Sequence, residues 1–383
     1  MILAELKKIW RSKILWGFFA ALFVLNCINI FAVRKRAETE PEFDAACERI
    51  YAQVRGEWSA GTLKFVTDTY ENAAAIVASR SYSTEPNQPG TYTGYIFGDF
   101  SLFGELYDDM RYMYQYAETV QATVDKATEN AAFYTAHHNR FSARESEQIA
   151  ARYSGRKIDA YYRTGGAYAL ISYDMSSVFV LLLCALCIST VFTHEHETEM
   201  DALLRLTKHG GRALNRAKIA ASLITAESIA LLFYIADFLS FLCVCRIDCL
   251  RNPIYSIPAF QNTPFSCAIW QYLLILLANR MLGAAVFSLI FLLCSKLLRR
   301  GLPAFCVSLA VTVLLIFSGG EMNPVMLFSV RDLHRSYQVY NICGYPVLRH
   351  TVLMIVTVLF ASVPVILISV PHTKRRHRHD RAL

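Results

Sequence analysis

Two histidines and three glutamates stand within six residues of one another: His194, Glu195, His196, Glu197 and Glu199 open the run FTHEHETEMDALLRLTKHGGRALNRAKI, which begins at Phe192. Histidine beside glutamate suggests first a zinc-dependent hydrolase. That chemistry needs HExxH, with both imidazoles on one face of a helix and the glutamate as general base. Here the histidines are two residues apart, so on a helix they diverge by about 200°. No metal site is therefore expected. The order of the charges suggests a different use. Glu195, Glu197, Glu199 and Asp201 come first, which suits a helix N-terminus. Met200, Leu203, Leu204 and Leu206 then make an amphipathic turn, Gly210-Gly211 breaks it, and Arg212, Arg216 and Lys218 lead onward. A solvated loop would explain the charges but not their order. The pattern describes a short helix lying across the end of a helical hairpin, a surface that another protein could grip.

The elements that must position this stretch are apolar. The chain has 383 residues, 54% hydrophobic and only 18% charged, against about 25% charged in soluble domains. Six runs approach the roughly 17–25 residues that a bilayer crossing needs. The expected fold class is an all-α membrane protein, with six transmembrane helices and a mainly helical extracytoplasmic domain inserted after the first span. The expected organisation is an interfacial amphipathic helix (1–13), a first span (14–33), the extracytoplasmic domain (34–172), a second span (173–193) and the polar stretch above (194–218). A third span (219–245), an outer loop (246–267), a fourth span (268–295), a fifth (303–320), a second outer loop (321–349), a sixth span (350–371) and a basic tail (372–383) complete it. The first run is too long, and lacks a small-residue cleavage site, to be a removed signal peptide.

Lys and Arg mark the cytoplasmic side. Lys7, Lys8, Arg11 and Lys13 precede the first span; Arg205, Lys208, Arg212, Arg216 and Lys218 lie between the second and third; Lys296, Arg299 and Arg300 lie between the fourth and fifth; and the tail reads TKRRHRHDR. Both termini are thus expected in the cytoplasm, in the plasma (inner) membrane. Arg34-Lys35-Arg36 runs against this, but it opens a very long loop, where charge constrains topology weakly. The tail is expected to touch anionic lipid, with the bilayer as partner and no nucleic acid.

The 34–172 insertion is long enough to fold by itself. Leu63, Val66, Tyr70, Ala73 and Val77 repeat at helical spacing, as do Phe43, Cys47, Ile50, Val54 and Trp58. Met113, Ala117, Val120, Val124, Ala127, Ala131 and Tyr134 continue the pattern over three heptads. Ser83 to Tyr95, rich in Pro and Gly, reads as a loop. Asp108-Asp109 and His137-His138 read as solvated surface. GEWSAGTLK (Gly56 to Lys64) imitates a phosphate-binding loop in its Gly spacing but lacks Lys-Ser/Thr after the second Gly, and GxxxxGK[ST] occurs nowhere. No catalytic residue, cofactor or metal is expected. Cys184 and Cys187 form a CxxC inside an apolar run, where Cys packs as a small hydrophobe.

Leu203-Leu204, Thr207, Gly211-Arg212, Leu214 and Lys218, following the Glu-rich segment, form a phrase that resembles the membrane subunits of ATP-binding-cassette exporters of the second type. Met200-Asp201 stands where that family often has Gly-Thr. The resemblance implies that the segment is a coupling helix, with Glu195, Glu197, Glu199, Leu203, Leu204, Thr207, Gly211, Arg212 and Lys218 engaging a separate ABC ATPase subunit. It also implies a second permease subunit, in a homo- or heterodimer, and ATP hydrolysis on the partner and not on this chain. The N-terminal stripe of Ile2, Leu6, Ile9 and Trp10 suits an interfacial helix, the position of the family's elbow helix. Whether 321–349 folds back toward the membrane stays open.

Ionisable residues inside spans are costly and default to pairing or function. Arg280 is expected ~24 Å and Asp237 ~28 Å from the inner ends of their helices, so the two should meet, whereas Glu227 lies nearer the cytoplasm, at ~14 Å. Structural pairing and lining of a substrate path are both open to them. The leading expectation is an exporter permease. The alternative is a membrane receptor or sensor whose helical ectodomain binds a ligand without transport. A membrane metallopeptidase is a third class.

Overall fold

The structure is a computed structural model. It describes residues 1–35, 41–57, 59–79, 88–200, 203–204, 211–320, 322–329 and 333–370. Arg36, Trp58, Ser83 to Asn87, Asp201, Arg205, Leu206, Thr207, Lys208, Gly210 and the basic tail, all named above, lie outside the described residues. Helix accounts for 76% of the structure.

The chain begins with a short amphipathic helix, α1 (Ile2–Trp10), followed by the apolar α2 (Lys13–Lys35). A polar unit follows: α3 (Pro41–Val54), α4 (Ala60–Ala78), α5 (Ile96–Ala136) and α6 (Arg140–Tyr153). At 1.5 Å per residue the 41-residue α5 is about 60 Å long, and α4 and α6 pack along it. Local chemistry sets the ends. Ser59 caps α4 by accepting from the Thr62 N–H at 3.0 Å, and Asn139 caps α6 by accepting from Ser142 at 3.2 Å. Before α5, the Asp99 carboxylate accepts from the N–H groups of Tyr92 and Thr93, each at 2.8 Å, and so holds the turn. Of the expected seams, Ile50, Val54, Val66, Ala73, Met113, Val120 and Ala127 are buried. Ala117, by contrast, is exposed, and Tyr116 takes the inward position beside it. A two-residue ladder, β1 (Gly56–Glu57) with β2 (Ala160–Tyr161), ties the connection between α3 and α4 to the segment after α6.

The apolar bundle comprises α2, a second crossing in three pieces, α7 (Gly165–Ile171), α8 (Met175–Ile188) and α9 (Thr190–Glu197), then α10 (Arg212–Val244), α11 (Ile269–Leu297), α12 (Gly301–Phe317) and α13 (Arg349–Ser369). α11 is central and packs against α8, α10, α12 and α13. Outward faces stay apolar: Phe18, Ile28 and Phe31 on α2, and Leu359, Val363 and Ile366 on α13, are all exposed. Such a surface is a liability in water and the expected face toward lipid.

Among the described residues, five helices are long and apolar enough to cross a membrane: Lys13–Ala32, Gly165–Glu197, Arg212–Val244, Ile269–Leu297 and Arg349–Ser369. These define a multi-pass α-helical membrane protein. The segment expected as a fifth span over 303–320 is different. α12 has 17 residues, about 26 Å at helical rise, below the roughly 30 Å hydrocarbon core. The second crossing also departs from its expected 173–193 limits. It starts at Gly165, is interrupted at Ser172 to Asp174 and again at Ser189, and runs to Glu197.

The 321–349 segment is not plain loop. Pro324–Leu327 forms a 3₁₀ turn whose Leu327, with Phe328 after it, is buried. A Cβ on Gly283 of α11 would stand 2.9 Å from the Phe328 ring, so glycine permits the close approach. A hairpin follows, β3 (Val339–Ile342) with β4 (Tyr345–Leu348). Its turn residues Cys343 and Gly344 both have positive φ, 51° and 82°, the requirement of a tight two-residue turn. The polar unit rests on this hairpin and on the 252–263 segment. Arg144 donates to Gly344 O (3.0 Å), Gln148 to Pro346 O (3.2 Å), and Arg156 to Thr263 O (2.9 Å).

Candidate coupling site and intramembrane charges

At the α1 end of the bundle, four charged side chains from three distant segments converge. Lys218, six residues into α10, is fully buried, and its three ammonium protons have three acceptors. These are Glu195 Oε1 on α9 at 2.8 Å, Val191 O at 2.9 Å and Glu5 Oε2 on α1 at 3.3 Å. Lys8 Nζ closes the circuit, 2.9 Å from Glu5 Oε1 and 3.0 Å from Glu195 Oε1. The Phe192 ring lies 4.9 Å from Lys218 Nζ. Burial alone would raise the Glu5 carboxyl, but Lys218 and then Lys8 outweigh it and hold it below the ordinary carboxylate range. Burial works against a charged Lys8 too, yet its hydrogen bonds to Glu5 and Glu195 raise it. Glu5 and Lys8 are thus held in their charged forms where α1, α9 and α10 meet.

The three glutamates singled out in the sequence part company. Glu195 is inside this network. Glu197 reaches sideways, its Oε1 accepting from the Gly301 N–H at 2.8 Å, so an anion sits at the N-terminus of α12. Glu199 has φ of 56° and lies just past the end of α9. Ser295 Oγ of α11 accepts from Phe192 N–H (3.0 Å) and donates to Ser189 O (2.8 Å), bridging the break between α8 and α9. Leu203 is 61% exposed and Leu204 half-buried, Gly211 takes φ of 70° immediately before α10, and Arg212 opens that helix exposed. A cavity of about 370 Å³ lies between α1, α9 and the segment beyond, lined by Ile9, Val191, His194, Met200 and Leu204 with Lys8 and Glu195 at one side. His194 and His196 do not join a ligand set. Among the described residues no group of three or more His, Cys, Asp or Glu is placed to hold a metal.

A second cluster joins α2, α8, α10 and α11. Arg280 Nη1 lies 3.8 Å from Asp237 Oδ2, both buried, where the depth of each in its helix suggested they would meet. Asn26 of α2 donates to Asp237 Oδ1 and in turn accepts from Tyr173 Oη at 2.9 Å. Arg280 Nη2 donates to Tyr173 O at 2.6 Å and sits 3.4 Å from Asp174 Oδ1. The Asp174 side chain also accepts from Ser329 Oγ. The interruption of the second crossing at Ser172 to Asp174 thus supplies both acceptors of Arg280 Nη2, while Arg280 Nε is buried without a hydrogen-bond partner. Glu227 stands outside this cluster, with one carboxylate oxygen buried and unpartnered.

Sequence reasoning missed several participants. Glu5 was detectable, because it falls beside Ile2 and Ile9 on the apolar stripe of α1, where an acid needs a partner. Asn26, one of two asparagines in the otherwise apolar middle of α2, carried the same signal. A third cluster gave none: His334 is fully buried, its Nδ1 3.0 Å from Tyr272 Oη and its ring 4.6 Å from that of His350.

No protein-family model matches the chain, and comparison with curated proteins and with solved structures finds no match.

Proposed function

We propose that this multi-pass membrane protein is the permease subunit of an ATP-binding-cassette exporter of the second type. In this reading 194–218 is the cytoplasmic docking segment for a separate ATPase. One observation carries it: the Lys218–Glu195–Glu5–Lys8 network, which ties that segment to the amphipathic α1 and to α10. A push delivered to residues 199–204 would pass directly into two membrane helices and, through Glu197, into α12. Met200 and Leu203, 46% and 61% exposed, are left outward for a partner. The ATPase binds and closes on ATP, and the spans rotate so that a path between two such subunits opens outward. The chain itself performs no catalysis. Both termini are cytoplasmic, α12 serves as a short fifth span of six, and the polar unit is an extracytoplasmic domain. Asp237 and Arg280, held by Asn26, Tyr173 and Asp174, act as a structural pair and not as a path lining.

The test is co-purification with a Walker-motif ATPase encoded beside this reading frame. Glu195 is a poor probe because reversing it breaks a buried network, so the substitution belongs at Leu203. Leu203→Asp should abolish ATPase recovery while leaving membrane insertion intact, and undiminished recovery would refute docking there. A ligand-binding receptor is the second reading, favoured by the cleft described next.

A further inference from the structure

At the opposite end of the bundle, where α5 and α6 rest on the 255–263 segment and the residues before β3, there is a cleft of about 470 Å³. That is a volume suited to a small organic molecule. Its wall is aromatic: Tyr112 and Tyr116 from α5, Tyr153 from α6, and Tyr337. All four hydroxyls have protein acceptors of their own. Tyr112 donates to Tyr255 O (2.7 Å), Tyr116 to Gln261 O (3.2 Å), Tyr153 to Asn262 O (2.6 Å) and Tyr337 to Gln148 Oε1 (3.2 Å). The rings are therefore held in place with their phenolic protons spent. Burial pushes the Tyr116 phenol up to about 12, so it stays neutral.

One charged side chain lines the cleft, and it is an acid. Glu145 is half-buried and has no hydrogen-bond or ion-pair partner among the described residues. No Lys, Arg or His lines it. Arg156, which stacks over Tyr153 at 4.2 Å and Tyr255 at 5.1 Å, is not in the lining, but it shows that these rings already accept a cation on their faces. Electron-rich ring faces beside an unpaired carboxylate, with no cation in the lining itself and no free phenolic donor for an anion, match a positively charged organic group.

We infer that this cleft binds an organic cation, with its ammonium group against the tyrosine ring faces and Glu145 as the counter-charge. The inference does not depend on an ATPase partner.

The test uses the full chain in lipid nanodiscs and saturation-transfer NMR, with choline as probe and its neutral carbon isostere 3,3-dimethylbutan-1-ol as control. Choline should bind saturably and the isostere at least about tenfold more weakly, the size of a desolvated cation–aromatic contact. Glu145→Gln should weaken choline about fivefold or more at unchanged melting temperature, and Tyr337→Leu should weaken it independently. Equal binding of the isostere, choline affinity untouched by Glu145→Gln, or failure of choline to saturate would each overturn the inference. Saturable binding of maltotriose that ignores Glu145→Gln would assign the cleft to carbohydrate instead, and would also overturn it.

Discussion

Removing the charge of Lys218 by Lys218→Met should destabilise the protein far more than an ordinary surface change. The ammonium is fully buried and satisfies Glu195 Oε1, Glu5 Oε2 and Val191 O. Methionine is close in length and fills the same space, so packing is nearly conserved and the electrostatic loss is isolated. What remains is two carboxylates, 5% and 6% exposed, sharing only Lys8. Stranding a buried charge in this way costs about 3–5 kcal/mol. Most of that cost is the unpaired carboxylate and not a lost attraction, so neutralising the second partner should recover it. In Lys218→Met/Glu195→Gln one acid, Glu5, faces one base, Lys8, and roughly half or more of the loss should return as a positive coupling in the double-mutant cycle. The assay is thermal unfolding of the detergent-solubilised protein, followed by fluorescence-detected size exclusion. The single variant should melt several degrees lower, with the double variant between it and the parent. A single variant as stable as the parent, or a double variant no better than the single, would refute the network as the tie between α1, α9 and α10.

The same logic applies across the bundle: Arg280→Leu leaves Asp237 buried and should cost about 3–5 kcal/mol, with Arg280→Leu/Asp237→Asn largely restored, measured by the same melting assay. Burial, with His350 beside it, holds the His334 imidazole well below its usual range. The unfolded chain therefore takes up a proton near pH 6.5 that the folded chain refuses, and stability falls as pH drops below about 6.5. His334→Gln should flatten that fall in melting temperature against pH, and an unchanged slope would contradict the assignment. Asp109 on α5 is pushed up to about 6, first by burial and then by Glu105. Its folded value lies above its unfolded value, so any stability it lends is present at low pH and is lost as pH rises through 6. Asp109→Asn should accordingly raise the melting temperature at pH 7.5, corresponding to about 1–3 kcal/mol, and change it little at pH 4.

The long crossings are legible because an 18-residue apolar run has few alternatives to a helix in lipid. Arg280 and Asp237 could be matched because rise per residue converts position into depth. Seam positions such as Val66, Ala73 and Val120 follow from helical periodicity. Other features depend on contacts between residues far apart in the chain. Nothing near Glu195 says that its partners are Glu5's neighbour Lys8 and the buried Lys218. Equally, nothing near Tyr153 says that its hydroxyl meets Asn262. The interruption at Ser172 to Asp174 falls where the sequence suggests the boundary between the 34–172 domain and the second span, so it does not read as a break within one crossing. Its reason appears only when Tyr173 O and Asp174 are seen to accept from Arg280 Nη2. The hairpin at 339–348 was hidden because Tyr, Val and Ile near a span end serve strand and helix alike.

Everything in the functional proposal rests on the side of the membrane that the 194–218 segment faces. A single cysteine at position 203, in a chain whose eleven native cysteines are replaced, can be labelled with a membrane-impermeant maleimide. The account predicts no labelling in intact cells and full labelling once the membrane is opened. Labelling in intact cells would put this segment outside, beyond the reach of any ATPase, and would contradict the account.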